Sequence, residues 1–227
     1  MVIGSGQLAK KFSRVNIEDT IIFASGVSNS NCTDLEQFER EKRLMIDTLQ
    51  NNKDKSFIYF SSCALSASDY KLNAYYQHKA NMEEVVQKYS DSFYIFRIPQ
   101  LFGDLKEHPT LVNFIYNSIV NDRKMELYSQ AYRYVIDIED VKILVQRYIE
   151  HGNKNIILDL ANPWRYKVLD IVNILETLLH KKAIYEIVEK QDKYELNLAL
   201  LQKFIEHNSI DVGFGKEYLY KKLQNRI

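Results

Sequence analysis

Ser56-Phe-Ile-Tyr-Phe-Ser-Ser-Cys-Ala64 and, soon after it, Asn73-Ala-Tyr-Tyr-Gln-His-Lys-Ala80 decide how this chain is read. The first is an unbroken apolar run that ends in small polar residues, the pattern of a strand buried on both faces of a parallel sheet. The second opens a helical pattern that runs on through Met82, Val85 and Val86, with Glu83 and Glu84 expected on the other side. Outward from this pair, short apolar runs alternate with helical ones, the signature of a parallel sheet with crossover helices. Strands are predicted at Met1–Ile3, Thr20–Ala24, Ser56–Phe60, Phe93–Ile98 and Ile156–Leu160. Helices are predicted at Gln7–Phe12, Asp34–Gln50, Lys71–Lys88, Pro109–Val120, Ile138–Glu150 and Val168–His180. The fold class is α/β, a doubly wound parallel sheet. From about Tyr185 a strand-like run, a helical stretch at Lys193–Glu206 and a polar tail read as a small C-terminal lobe. The chain is thus one unit, with a core to about residue 165 and a lobe over about 166–227.

Composition narrows the function classes. The 227 residues can bury a substantial core, and 30 basic against 30 acidic residues give no nucleic-acid-binding surface. The two cysteines, Cys32 and Cys63, lack metal-ligand spacing, so no metal site is expected and reduced thiols fit a cytoplasmic protein. No apolar run approaches a membrane span, and the N-terminus lacks the marks of a signal peptide.

Gly4-Ser-Gly-Gln-Leu-Ala9 follows the first strand and opens a helix, the context in which a glycine turn cradles a dinucleotide. Gly4 would permit the tight turn and Gly6 would let the backbone approach a pyrophosphate. The helix start at Gln7, Leu8 and Ala9 would offer it N–H groups. A plain tight turn explains the same residues nearly as well. The acidic residue expected about 20 positions on, for the adenosine ribose, is missing, because that position falls at Ala24 inside Thr20-Ile-Ile-Phe-Ala24. Too little chain separates the first two strands for the usual sheet elements, so the adenosine side is expected to be truncated. Lys10, Lys11 and Arg14 could meet a 2′-phosphate, although a solvated helix face is the plainer reading.

Tyr75 and Lys79, four positions apart, share one helix face. An ammonium beside a phenol favours the phenolate, and a serine at the end of the preceding strand could bond the same substrate oxygen. Ser62, Tyr75 and Lys79 are therefore a candidate proton-transfer site for an alcohol–ketone couple. In a chain with 16 tyrosines the spacing also arises by chance, on an amphipathic helix with a surface ion.

Together these segments resemble, in order and over about residues 1–180, the extended short-chain dehydrogenase/reductase family of nucleotide-sugar epimerases, dehydratases and 4-ketoreductases. Ile21-Ile-Phe-Ala-Ser-Gly26 resembles its strand whose small terminal residues, here Ala24, Ser25 and Gly26, pass under the cofactor. Phe60-Ser-Ser-Cys-Ala64 resembles the strand with the catalytic Ser or Thr, best aligned on Ser62, and Tyr75–Lys79 matches Tyr-x-x-x-Lys. Phe96-Arg-Ile-Pro-Gln-Leu-Phe-Gly103, Tyr134-Val-Ile-Asp-Ile-Glu-Asp-Val141 and Asp159-Leu-Ala-Asn-Pro163 are similar to later segments. The resemblance implies NAD or NADP as cofactor, held by Gly4, Gly6, the residues after the second strand, Lys79 and Pro99. It makes Tyr75 the acid or base, with Ser62 orienting the carbonyl and Lys79 lowering the Tyr75 pKa. Arg133 is a candidate for a substrate diphosphate, against a surface ion pair. The implied activity is NAD(P)-dependent chemistry at a sugar carbon, most simply ketoreduction of a nucleotide sugar in surface polysaccharide synthesis. Cys63 and Ala64 stand where dehydration usually needs acids. Epimerisation with the same residues, a reductase acting on a non-sugar ketone and a non-catalytic scaffold or sensor are the alternatives. A homodimer through Asp34–Gln50 and Lys71–Lys88 is a further expectation.

Three neighbouring residues have plainer readings. His78 reads as solvent-facing, Cys63 as a small apolar strand-end residue, and Trp164 as packing or the cover of a sugar pocket.

Overall fold

The computed structural model describes residues 1–15, 17–67, 73–106 and 110–227. The first half of the chain runs β1 (Val2–Ile3), α1 (Gln7–Phe12), β2 (Thr20–Phe23), α2 (Leu35–Gln50), β3 (Ser56–Ser62), α3 (Ala74–Tyr89) and β4 (Phe93–Ile98). It continues through β5 (Gln100–Phe102), α4 (Leu111–Val120), β6 (Met125–Arg133), β7 (Val135–Asp137), α5 (Ile138–His151) and β8 (Ile156–Asp159). The chain ends with β9 (Tyr166–Lys167), α6 (Val168–Leu179), β10 (Tyr185–Asp192), α7 (Ala199–His207) and α8 (Tyr218–Gln224). The five predicted strands and six predicted helices are all present. Of the predicted helix starts, Lys71 and Pro109 lie outside the described residues.

The main sheet has 5 parallel strands in the order β1-β2-β3-β4-β8. Its side chains alternate between two apolar layers, as burial on both faces requires. Ile22, Ile58, Phe60, Tyr94 and Phe96 meet α1, α5 and α7, whereas Ile21, Phe23, Phe57, Tyr59 and Ile95 meet α2 and α3. Helices thus cover both faces, as expected of this fold class, but the strand order never reverses. Every crossover steps in one direction, so those through α1 and α5 have the opposite hand to those through α2 and α3. The expected truncation is visible as an unpaired edge: among the described residues no strand lies beyond β1.

A second apolar layer holds Val112, Ile115 and Ile119 of α4, Met125 and Leu127 of β6, Ile171, Val172 and Leu175 of α6, and Tyr218, Leu219 and Leu223 of α8. Its sheet is 3-stranded, β10-β6-β9. Residues 111–133 therefore share this layer with the segments after residue 165. The tail read as polar folds as α8 and is locked to the N-terminal end of α5. The Tyr218 hydroxyl donates to Asp140 Oδ2 at 2.5 Å and accepts from the Asp137 N–H at 2.8 Å, while Arg226 pairs with the buried Asp137 carboxylate at 2.6 Å. Among the described residues no helix is long and apolar enough to cross a membrane.

Candidate functional site

The glycine turn has one residue that must be glycine and one that leaves space. Gly4 has φ +127°, and a Cβ there would stand 2.3 Å from the Ala24 carbonyl oxygen, so only a bare backbone lets the turn close on the end of β2. Gly6 caps α1 with an ordinary φ of −74°, and a Cβ on it would meet nothing within 4 Å. The turn therefore presents an open backbone surface, which fits a phosphate group. It lines a cleft of about 750 Å³ shared with Gln7, Arg14 and Lys142. Leu8 turns into the core. Lys11, one of the 2′-phosphate candidates, is ion-paired with Glu139. Among the described residues no strand flanks β1 on its outer side, where an adenosine half-site would lie.

Asn73 caps α3 by accepting from the Tyr76 N–H at 3.0 Å, and its amide ties the helix start to the Ser30 carbonyl at 2.8 Å. The cap sets the first turns of α3 near the ends of β2 and β3, so Tyr75 and Lys79 turn inward together. Tyr75 is packed with Val27, Cys32 and Phe38, and no described residue hydrogen-bonds its hydroxyl. The Lys79 ammonium lies 5.8 Å from the centre of the Tyr75 ring. It is also directly below Gly26, where a Cβ would come within 2.7 Å of Nζ. Ala24 and Ser25 are half-buried at the end of β2, and the exposed Gly26 roofs the lysine.

Lys79 is not free. Its ammonium donates to Glu41 Oε1 at 3.2 Å and to the Tyr59 hydroxyl at 3.0 Å. Glu41, fully buried, also accepts from Tyr59 at 3.0 Å, from the Val27 N–H at 2.7 Å, and lies 2.9 Å from His78 Nε2. Burial by itself would raise the Glu41 carboxyl; Lys79, His78 and the Val27 N–H outweigh it and bring the pKa down to about 2. Burial pushes the Tyr75 phenol up; Lys79 opposes that and Glu41 adds to it, and the result lies above the ordinary value. Lys79 thus acts on Tyr75 in the expected direction, but burial outweighs it and the carboxylate beside the same ammonium adds to the rise. The reading of His78 is corrected. It is buried and stacked on Phe38 with ring centroids 4.4 Å apart, not solvent-facing.

Glu41 was not among the residues read from the sequence, although a signal was present. It occupies a stripe position of α2 between Phe38 and Met45, where an apolar side chain is expected.

No hydrogen bond joins Ser62 to Tyr75 among the described residues. Ser62 ends β3 in phase with Ile58 and Phe60, which face α1 and α5, and its Oγ accepts from the Ala64 N–H at 3.4 Å. Ser61 is in phase with Tyr59, on the α3 side, and its hydroxyl is buried with no hydrogen-bond partner among the described residues. The adjoining Cys63 thiol donates to the Arg97 carbonyl oxygen at 3.1 Å, and burial pushes its pKa up, so it is a structural thiol. Glu83, expected on the outer face of α3, is buried against Arg97 at 2.6 Å. Pro99 is half-buried between β4 and β5. Arg133 binds the Asp192 carboxylate and, at 2.8 Å, the Asp192 carbonyl oxygen, holding β10 to the end of β6. Trp164 is 43% exposed, with Lys216 5.9 Å from its ring.

The architecture has close counterparts among solved structures. The UDP-glucose 4-epimerase of Bifidobacterium longum, solved with NAD+ and UDP, matches with a TM-score of 0.74 over 98% of this chain and 82% of its own, at 13% identity. The fold is that of the nucleotide-sugar epimerases and dehydratases. The dTDP-glucose 4,6-dehydratase of Bacillus anthracis, solved with NAD, shares this epimerase/dehydratase fold with a TM-score of 0.73 over 92% of this chain and 72% of its own, at 13% identity. The UDP-glucose 4-epimerase of Thermus thermophilus, also with NAD, gives 0.72 over 92% and 77%, at 11% identity. These are the enzyme classes that the residue motifs resemble. No family model matches the chain, and no curated protein matches its sequence.

Proposed function

We propose that this protein is an NAD(P)-linked oxidoreductase acting on a sugar carbon of a nucleotide-activated sugar, with ketoreduction as its reaction. The observation that carries the reading is the placement of Tyr75. Its hydroxyl has no hydrogen-bond partner among the described residues, its ring is packed in an apolar cluster with Val27, Cys32 and Phe38, and it is one helical turn from Lys79. Such a hydroxyl is available to a substrate oxygen and can move a proton to or from it. Neighbours on the same fold are solved with NAD and with UDP, which supports a nicotinamide cofactor and a nucleoside-diphosphate substrate. The turn at Gly4 and Gly6, with Gln7 and Leu8 opening α1, would receive the cofactor pyrophosphate. Ala24, Ser25, Gly26, Lys79 and Pro99 would border the rest. A nicotinamide bound there supplies or accepts the hydride. Ser62 can orient a substrate carbonyl only through a contact formed on binding, and Arg133 can hold a diphosphate only by exchanging it for Asp192. Epimerisation at one carbon uses the same groups. A role in surface polysaccharide synthesis and a dimer through α2 and α3 belong to this reading, and sedimentation at micromolar concentration tests the latter.

A second reading, a nucleotide-binding protein without turnover, is favoured by the bare edge of β1 and by the Glu41–Lys79 pair. Calorimetric titration with NADH and NADPH separates the two, with Gly6→Asp as the control. Saturable binding that the substitution abolishes, followed by turnover of a keto-sugar nucleotide, supports the enzyme. Absence of binding to folded protein that carries no cofactor rejects it.

A further inference from the structure

We propose that Glu41 is a positioning residue that neutralises Lys79 and so keeps Tyr75 protonated, committing the site to proton donation and hence to the reducing direction. The inference rests on the reading of Tyr75 as the proton-transfer group and adds a direction to it. Four groups from four parts of the chain converge on one buried carboxylate: Lys79 at 3.2 Å and His78 at 2.9 Å from α3, Tyr59 at 3.0 Å from β3, and the Val27 N–H at 2.7 Å from the loop after β2. The carboxylate beside the ammonium adds a field of opposite sign at every nearby group. The effect of the ammonium on Tyr75, at 5.8 Å from the ring centre, is opposed in part by the adjacent negative charge.

Among the described residues the groups around Tyr75 are few. Lys79, His78 and Tyr76 come from its own helix, Glu41 and Phe38 from α2, Tyr59 from β3, and Cys32 from the loop. Among the described residues only Lys79 favours the phenolate, and burial and Glu41 both oppose it.

In the reducing direction Tyr75 gives its O–H proton to the carbonyl oxygen as a hydride reaches the carbonyl carbon from a dihydronicotinamide. The ketone is reduced to the alcohol, the dihydronicotinamide is oxidised, and the phenolate recovers a proton from water. In the oxidising direction the same residue would have to begin as phenolate, the form that this surrounding disfavours.

The test reads Tyr75 directly, without cofactor or substrate. NMR titration of protein carrying ring-carbon-labelled tyrosine, with the Tyr75 signal assigned by its loss in Tyr75→Phe, follows the phenol through the alkaline range. In the wild type the signal should stay that of the phenol up to about pH 10, the ordinary tyrosine value. In Glu41→Gln it should ionise at least about one pH unit earlier than in the wild type. Wild-type ionisation below about pH 9, or equal titration in a folded Glu41→Gln protein, overturns the proposal. If Glu41→Gln fails to fold, a protein carrying both Glu41→Gln and Lys79→Met should titrate within about one pH unit of the wild type because the two charges cancel, and a larger shift overturns the proposal. A Tyr75 that stays phenolic in a protein that binds neither NADH nor NADPH would sink the enzyme reading and leave the Glu41 effect standing. An early-ionising Tyr75 in a protein that binds NADH would do the reverse.

Discussion

Replacing Glu41 by Gln should destabilise the protein by an amount that depends on pH. The carboxylate is fully buried, and its pKa is brought from an ordinary 4.5 to about 2 against the opposing effect of burial. A group depressed in the folded state contributes stability that is fully present above its unfolded pKa and is lost as pH falls through its folded value. The span between the two values corresponds to about 3 kcal/mol near pH 7, the size expected when one partner of a buried ion pair is removed. The same relation retains nearly all of this at about pH 5 and about 2 kcal/mol at about pH 3.5. Urea unfolding of wild type and Glu41→Gln across that range, followed by far-ultraviolet circular dichroism, measures the gap directly. The expected gap is about 3 kcal/mol near neutrality, narrowing below about pH 4.5. A gap under about 1 kcal/mol at neutral pH, or one that stays constant down to about pH 3.5, refutes the argument that Glu41 is ionised and held by Lys79, His78 and Val27.

Tyr75→Phe removes a hydroxyl that no described residue hydrogen-bonds, from a ring packed among Val27, Cys32 and Phe38. Its unfolding free energy should therefore stay within about 0.5 kcal/mol of wild type, while turnover of a keto-sugar nucleotide falls at least about 100-fold. A stability loss well above that would show the hydroxyl to be structural. Gly4→Ala forces a Cβ to 2.3 Å from the Ala24 oxygen at φ +127° and should cost about 2 kcal/mol or more, whereas Gly6→Ala, whose Cβ meets nothing, should unfold within about 1 kcal/mol of wild type. Equal midpoints for the two glycine variants would contradict the geometry of the turn. Arg226→Ala strips the buried Asp137 carboxylate of its partner and should lower stability by about 3 kcal/mol, read in the same urea assay. No loss would mean that α8 is not held by that pair.

How much of this was legible in the sequence depended on how local each cause is. Strand positions follow from short runs such as Ser56–Ser62, whose residues favour a buried pleat whatever surrounds them. Helix starts follow from capping side chains that act within one turn, with Asp34, Asn73 and Asp137 each accepting from an N–H just ahead of it. The truncation was legible too, because Thr20 comes too soon after Ile3 for another strand and helix to intervene. By contrast, β6 and β10 pair across 60 residues and carry exposed charged side chains, so nothing local marks their partner. The helix at Tyr218–Gln224 looked polar because only Tyr218, Leu219 and Leu223 are buried, and the layer that buries them comes from elsewhere.

The candidate site divides in the same way. The sequence by itself determined that Tyr75 and Lys79 share one helix face and that Gly4 and Gly6 follow a strand, since helix periodicity and backbone sterics act between near neighbours. Tertiary structure alone decided what Lys79 does there. Glu41, Tyr59, His78 and Val27 reach the same buried point from α2, β3, α3 and the loop after β2. The balance of desolvation against Coulomb attraction depends on distances of a few ångströms between segments whose separation in sequence says nothing of their separation in space.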